Sequence, residues 1–203
     1  LDAQALAAEL QADGWAVLQV ASRAGTRASY LRRPDLGRRL DENSARQLAA
    51  AAASTADLDV ALVVGDGLSA IAAQQHAVSV LGALRDALGG ELTLAPVVVA
   101  TQARVALSDE VGAVLGARVV LMLLGERPGL SSPDSLGAYL THAPQVGCTD
   151  AQRNCVSNIR PAGLAPAQAA ARIAWLLREA LRRRLSGVAL KDDSATEMLP
   201  KTR

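Results

Sequence analysis

The sequence has 203 residues, of which 50% are hydrophobic and 2% aromatic, and its 21 basic and 20 acidic residues give a net charge of +1. This length and composition are typical of one globular domain with a substantial core and argue against a disordered chain. The balanced charge and the scarcity of aromatic rings argue against a nucleic-acid binder. No apolar run is long enough to span a bilayer, so no membrane association is expected.

The first part of the chain, residues 1–56, is predicted to be a lead-in of helices and a hairpin. Two helices are expected in it, at Asp2–Ala12, with Asp2 as the N-cap, and at Glu42–Ala53. Between them, the pattern predicts two short strands that form a hairpin around Gly25, at Trp15–Ala21 and Ala28–Leu31.

From residue 57 to 190 the predicted strands and helices alternate. Strands are predicted at Asp59–Val64, Leu92–Ala100, Arg118–Leu124 and Leu136–Thr141. Helices are predicted at Leu68–Leu88, with Ile71 on its apolar stripe, at Asp109–Leu115, with Ser108 as its cap, and at Pro166–Leu185. This alternation predicts an α/β fold, a three-layer αβα Rossmann-like domain with a mostly parallel sheet. The polar tail at residues 191–203 is expected to be loose.

Three loops that follow predicted strands should lie at one edge of this sheet, because the carboxyl ends of parallel strands meet there. They are Gly65–Ser69, Thr101–Val105 and Gly125–Leu130. Their glycines and mixed charges predict a binding face. The sequence shows no Ser–His–Asp set, no clear acid/base pair of carboxylates and no metal cluster, so no catalytic residue and no metal ligand is assigned.

The first of these loops leaves alternatives open. Gly65–Ala70 fits the dinucleotide fingerprint G-x-G-x-x-A, but the strand that follows ends at Thr101 without the acid that would hold a ribose. A nicotinamide site is therefore disfavoured. A tight turn in which Asp66 or Ser69 caps the helix, and a loop that faces another ligand or subunit, are the two remaining interpretations.

The other candidate residues also have two interpretations each. Arg104 could hold a phosphate or carboxylate, or be a solvated surface arginine. Glu126 and Arg127 could pair with each other or with their neighbours. The polar segment Arg153–Asn158 could supply amides and hydroxyls to a large polar ligand, or be a hydrogen-bonded loop capped by asparagine. Its Cys155 has no neighbouring histidine that would make it a nucleophile. Four arginines form a basic cluster that could contact a phosphate or form ion pairs across a subunit interface: Arg32, Arg33, Arg38 and Arg39.

Four motifs in a fixed order carry a resemblance to a known family. They are YLRRPDLGRRL at Tyr30–Leu40, VVGDGLSA at Val63–Ala70, GERPGL at Gly125–Leu130 and RNCVSNI at Arg153–Ile159. Together they resemble the small subunit of ethanolamine ammonia-lyase, an adenosylcobalamin-dependent enzyme. The resemblance extends from about Tyr30 to about Leu190, and it places Leu1 after the helical N-terminal segment of the family's pattern.

The resemblance implies a subunit that is inactive alone and that helps the large subunit to bind adenosylcobalamin for the radical conversion of ethanolamine to acetaldehyde and ammonia. Ethanolamine would be held mainly by the large subunit. The cofactor-binding residues that it implies are Arg104, Val105, Glu126 and Cys155, with Ala103 where a glycine is common. It also implies a cytoplasmic location, within a bacterial microcompartment where the host makes one. A nucleotide-dependent oxidoreductase that uses the GDGLSA turn, and a non-catalytic interaction domain, remain as alternatives.

Overall fold

The computed structural model describes residues 1–53, 57–130 and 132–194. Its helices are α1 (Ala3–Ala12), α2 (Arg27–Arg32), α3 (Glu42–Ala52), α4 (Ala70–Leu88), α5 (Leu107–Leu115) and α6 (Pro166–Arg183). Its strands are β1 (Val17–Ala21), β2 (Val60–Gly65), β3 (Leu94–Thr101), β4 (Val119–Gly125), β5 (Leu136–His142) and β6 (Arg153–Ile159). The predicted α/β fold is confirmed.

The described strands form one six-stranded sheet in the order β1-β3-β2-β4-β5-β6. The pairs β1–β3, β3–β2 and β2–β4 are parallel, whereas β4–β5 and β5–β6 are antiparallel. The prediction of a mostly parallel sheet is therefore wrong, and the sheet is mixed. The reason is the connection at residues 126–135, which is too short for the crossover that a parallel β4–β5 pair would need.

The predicted hairpin in the lead-in is also wrong. Val17–Ala21 is a strand, but it pairs in parallel with Val97–Thr101 at the edge of the sheet. The residues that were expected to form its partner strand are helix α2 instead, because the Thr26 hydroxyl accepts a hydrogen bond from the Ser29 amide and caps a helical turn. The helix at the start of the chain is confirmed, and Asp2 caps it through the Ala5 amide.

Helices cover both faces of the sheet, and each face has its own apolar core. The first core lies under α1, α4 and α6 and includes Leu62, Leu81, Leu121 and Leu177. The second lies under α3 and α5 and includes Met122. Strands β2 and β4 are buried on both sides, which explains their continuous apolar sequences. The prediction that Ile71 belongs to the apolar stripe of α4 is wrong, since it is 58% exposed.

Two further local predictions need correction. Arg153–Ile159 is the edge strand β6, not a loop, and it pairs with β5. Its polar side chains reflect an edge strand that places Val156 and Ile159 in the α6 core and leaves Cys155 and Ser157 exposed. Ser108 does not cap α5, because its hydroxyl donates to the Val105 carbonyl within a helix that begins at Leu107.

The tail at residues 191–203 was predicted to be loose, and its residues 195–203 lie outside the described part of the chain. Asp192, which precedes them, pairs with Arg172 of α6.

Candidate functional site

A cavity of about 690 Å³ lies at the carboxyl ends of β2, β3 and β4. It brings together the three loops that the sequence placed there, so that prediction is confirmed. After β2 the chain continues to β3 on one side, and it then returns to form β4 on the other side of β2. The cavity therefore lies at the switch point of the parallel strands, where open α/β sheets bind ligands. Its lining includes Gly67, Leu68, Arg104, Val105, Gly125, Glu126, Arg127, Tyr139 and Arg153.

The turn after β2 is packed against the turn after β4. The Leu68 amide donates to the Gly125 carbonyl, and a Cβ at Gly67 would lie 2.1 Å from the same carbonyl oxygen. At Gly125, a Cβ would lie 1.9 Å from the Ser69 carbonyl oxygen. Both glycines are therefore needed for the close approach of the two backbones, and this contact holds the two turns together at the cavity.

The side chains of the first turn are also committed to protein partners. Ser69 caps α4 through the Ala72 amide, as one interpretation predicted. Asp66 does not cap this helix. Its buried carboxylate accepts hydrogen bonds from the Gln102 and Ala103 amides, at 2.8 Å each, and so ties the turn after β2 to the turn after β3.

Arg104 is partly buried rather than a solvated surface arginine. Its guanidinium lies 4.5 Å from the centre of the Tyr30 ring and donates to the Tyr30 carbonyl at 3.1 Å. Its Nε is buried and has no hydrogen-bond partner among the described residues. A buried donor without a partner is costly, so an acceptor that reached this Nε would stabilise the protein. Val105 follows it in the lining, and Ala103 before it is fully buried.

Glu126 is held by groups other than its neighbour Arg127. Its carboxylate accepts hydrogen bonds from the Ser135 hydroxyl at 2.5 Å and from the Asn158 amide at 3.2 Å. Arg127 is exposed, and it forms no ion pair with Glu126 among the described residues. The Glu126 carboxylate is thus oriented at the cavity wall without a cation to neutralise it.

Cys155 lies beside the cavity rather than in its lining. It stands directly opposite Tyr139 in the β5–β6 register, so both side chains lie on the same face of the sheet, and Tyr139 lines the cavity. Its sulfur is 3.1 Å from the Ser157 hydroxyl. Desolvation raises the pKa of the Cys155 thiol, and the Glu126 carboxylate adds to this rise. The group is therefore a neutral thiol at neutral pH, which agrees with a contact role and not with a nucleophile.

Two acidic residues of α5 hold arginines of the cavity lining, and the sequence did not predict these pairs. Asp109 forms a buried bidentate pair with Arg153, at 2.5 and 2.7 Å, and Arg153 also donates to the Cys148 carbonyl. Glu110 accepts two hydrogen bonds from the Arg39 guanidinium and one from the Leu40 amide.

The electrostatics of the two anchors differ. Burial raises the pKa of the Asp109 carboxyl, although Arg153 opposes the rise. Desolvation also acts on Glu110, but the hydrogen bonds from Arg39 and the Leu40 amide outweigh it and lower the pKa of Glu110. The sequence contains no local signal for either pair, because their members are 44 and 71 residues apart.

The four arginines of the predicted basic cluster have different surroundings in the structure. Arg33 pairs with Asp35, and Arg39 pairs with Glu110, so these two do not need a partner subunit. Arg38 lines the cavity, whereas Arg32 is exposed outside it.

Within residues 1–53, 57–130 and 132–194 there is no group of three or more His, Cys, Asp or Glu that could hold a metal ion. No helix in the same part of the chain is long and apolar enough to cross a membrane.

Comparisons with known proteins identify close relatives of this sequence. The family model of the ethanolamine ammonia-lyase light chain (EutC) matches residues 1–191. The ethanolamine ammonia-lyase small subunit of Rhodopseudomonas palustris is 58% identical over 97% of this chain and 75% of its own length. Those of Bradyrhizobium diazoefficiens and Pseudomonas syringae are 57% and 52% identical, over 96% and 98% of this chain and 74% and 70% of their own lengths.

Proposed function

This chain belongs to the ethanolamine ammonia-lyase light-chain family, and from that premise we propose that its cavity holds part of adenosylcobalamin against the large subunit of the enzyme. The family acts as a carbon–nitrogen lyase within a hetero-oligomer, so the partner that completes the site is a large subunit. The observation that carries the proposal is the cavity at the switch point of the sheet, which is lined by Arg104, Val105 and Glu126.

The side chains present in the cavity fit a large ligand with a polar rim. The unpartnered Arg104 Nε is a donor for an oxygen of the ligand, and the Glu126 carboxylate is an acceptor for an amide N–H. Val105 and the Tyr139 ring offer apolar surface between them. This alternation of apolar contacts and a few oriented polar groups suits the amide-rimmed corrin of the cofactor.

Each residue has a binding or orienting role in this proposal. Arg104 and Glu126 hydrogen-bond the cofactor's rim, and Val105 packs against it. Cys155 contacts the cofactor through its size as a neutral thiol, next to Tyr139. Adenosylcobalamin, when bound, supplies a cobalt–carbon bond whose homolysis begins the radical conversion of ethanolamine to acetaldehyde and ammonia. This chain contributes binding and orientation to that chemistry, and we assign no catalytic residue to it.

The uncovered face beside the cavity supports the role of a large subunit as the second half of the site. Helices α3 and α5 cover the second face of the sheet over β1 to β4, whereas Tyr139 and Cys155 of β5 and β6 lie beyond them. Because a corrin needs contacts on both of its sides, the proposal places the large subunit over this region. Ethanolamine is then held mainly by the large subunit.

A nucleotide-dependent oxidoreductase is not favoured by the geometry of the first turn. Gly67 is packed against the Gly125 carbonyl, and the Gly67 and Leu68 carbonyls accept hydrogen bonds from Arg27. A phosphate cradle needs backbone N–H groups that are free to face the ligand. The Leu68 amide is already bonded to Gly125.

We also propose that the four parallel strands form a Rossmann-like half of the fold. We propose further that the protein works in the cytoplasm, within a microcompartment where the host makes one.

The proposal is tested by co-purifying this chain with its large subunit and titrating the complex with adenosylcobalamin while recording the visible absorption spectrum. We expect saturable binding by the complex, and ammonia release from ethanolamine only when both subunits are present. Turnover by this chain alone, or binding of a nicotinamide cofactor in place of adenosylcobalamin, would contradict the proposal. A complex that forms but binds the cofactor equally well with Glu126→Ala and Arg104→Ala would favour a non-catalytic interaction domain.

A further inference from the structure

We propose that Arg38 and Arg127, together with Arg104, form an anion-binding subsite of the cavity that takes the phosphodiester of the bound cofactor. The inference rests on the function proposed above, since the cofactor is the ligand that brings the anion. It adds to that function two residues, Arg38 and Arg127, and a part of the ligand that neither the family match nor the relatives' names address.

Several charged side chains in the cavity lining are already neutralised inside the protein. These pairs are Asp35 with Arg33, Arg39 with Glu110, and Arg153 with Asp109. Asp150 lies 3.5 Å from the Arg153 Nε and is 95% exposed, and because Asp109 already neutralises Arg153, Asp150 adds one negative charge at the cavity. The three pairs leave no net charge of their own.

The other charged side chains of the lining leave an excess of positive charge. Arg38 and Arg127 form no hydrogen bond or ion pair through their side chains in the described part of the chain, and Arg104 has a tyrosine as its partner instead of a carboxylate. Against these three cations stand two anions, the exposed Asp150 and Glu126, whose partners are a hydroxyl and a backbone N–H, so one positive charge remains in excess. A concave surface with one sign of charge in excess concentrates ligands of the opposite sign.

The residues beside each free arginine are packed or hydrogen-bonded, although the arginine side chains are exposed. On one side of Arg38, a Cβ at Gly37 would lie 3.0 Å from both Arg104 and Tyr30, and on the other side Arg39 is held by Glu110. Before Arg127, Gly125 is packed against the Ser69 carbonyl and the Glu126 backbone amide donates to the Ser135 carbonyl. After Arg127, the ring of Pro128 restricts the φ angle of the backbone. An anion therefore has only two side chains to order, which lowers the entropy cost of binding.

Arg104 provides the second observation that points to a ligand. Its Nε is buried and lacks a partner among the described residues, although it lies in the wall that Arg38 shares. The Arg104 amide donates to the Gly37 carbonyl at 2.8 Å, so the segment that carries Arg38 is in direct contact with Arg104. Guanidinium groups bind phosphate oxygens with two parallel hydrogen bonds, which makes a phosphate group the natural ligand of such a cluster.

The anion could belong to the cofactor or be a free phosphate or nucleotide, and two corrinoids separate these sources. Adenosylcobinamide lacks the phosphate, whereas adenosylcobinamide phosphate carries it without the nucleotide base. Both are titrated into the complex of this chain with its large subunit, with dissociation constants measured from the visible spectrum. The variants are the double substitution Arg38→Gln with Arg127→Gln, and Arg32→Gln as the control from the same basic cluster outside the cavity.

The wild-type complex and the Arg32→Gln control should bind cobinamide phosphate about tenfold or more tightly than cobinamide, an advantage that salt reduces. The double variant should bind both corrinoids with the affinity of wild type for cobinamide. Inorganic phosphate should compete with cobinamide phosphate only.

The subsite is refuted if the double variant keeps the tenfold preference, if it loses affinity for both corrinoids equally, or if the wild-type complex binds cobinamide without any preference for its phosphate. Binding of inorganic phosphate that depends on Arg38 and Arg127 but does not compete with cobinamide phosphate would show a free anion as the ligand and overturn the assignment to the cofactor. If the wild-type complex bound adenosylcobalamin but neither corrinoid, the subsite would be refuted and the proposed function would stand, whereas failure to bind adenosylcobalamin itself would refute both.

Discussion

Replacing Asp109 with alanine should destabilise the protein by about 3–5 kcal/mol, because it leaves the Arg153 guanidinium buried without its counter-charge. The two side chains are 1% and 3% exposed, and they are joined by two hydrogen bonds of 2.5 and 2.7 Å. Arg153 would keep its bonds to two neutral acceptors, Thr141 and the Cys148 carbonyl, and its 3.5 Å contact with Asp150, whose charge is screened because the side chain is 95% exposed. For a domain of this length, the loss corresponds to a fall in melting temperature of roughly 6–20 °C.

The measurement is urea unfolding of this chain, followed by circular dichroism. The control is Arg118→Met, which removes a 2.8 Å ion pair with Asp59 in which Arg118 is 52% exposed, and which should cost about 1 kcal/mol or less. The double variant Asp109→Leu with Arg153→Met should regain most of the stability, because it leaves no buried charge. If Asp109→Ala cost no more than Arg118→Met, the buried pair would not be the anchor of the cavity wall described here.

Three further predictions concern the cavity and the residues around it. Glu126→Gln should lower the cofactor affinity of the complex about tenfold. It should leave the melting temperature nearly unchanged, because the amide oxygen can still accept from Ser135. A large fall in melting temperature with unchanged affinity would make Glu126 a structural residue. Cys155→Ser should keep cofactor binding better than Cys155→Leu, since the side chain acts through its size beside Tyr139; loss of activity in the serine variant with binding intact would point to thiol chemistry. Glu110→Gln should make the free energy of unfolding depend less on pH in the acid range. The pKa of Glu110 in the folded protein is below its ordinary value of 4.5. The Glu110 carboxylate therefore stabilises the folded protein fully above pH 4.5, and this stabilisation is lost as the pH falls through the folded-state pKa. Equal slopes of unfolding free energy against pH for wild type and Glu110→Gln would contradict this.

The meeting of three loops at one sheet edge could be predicted from the sequence because it depends only on strand direction. Once β2, β3 and β4 are parallel neighbours, the residues that follow them must share an edge. Gly67 and Gly125 mark the place, since a turn that needs two close backbones selects glycine in both. Local sequence patterns and one topological rule were sufficient there.

The remaining features depend on contacts that no local pattern contains. Residues 28–31 have the apolar content of a short strand, but the cap at Thr26 and the packing of Tyr30 under Arg104 make them part of a helix. The sequence of β6 is typical of a loop, because an edge strand with several exposed side chains is rich in small polar residues. Asp109 and Glu110 look like acids placed for a helix dipole, and only the tertiary structure brings them to Arg153 and Arg39.

The claim that this cavity holds adenosylcobalamin is tested most directly by filling it. Val105 is half-buried in the lining, so Val105→Trp places an indole where the corrin is proposed to lie, whereas Val188→Trp puts the same ring at a position that is 81% exposed and outside the cavity. Both variants are assembled with the large subunit, checked by gel filtration and titrated with adenosylcobalamin. We predict that Val105→Trp assembles but loses cofactor binding by at least about a hundredfold, while Val188→Trp binds as wild type does. Unchanged affinity in an intact Val105→Trp complex would contradict the account.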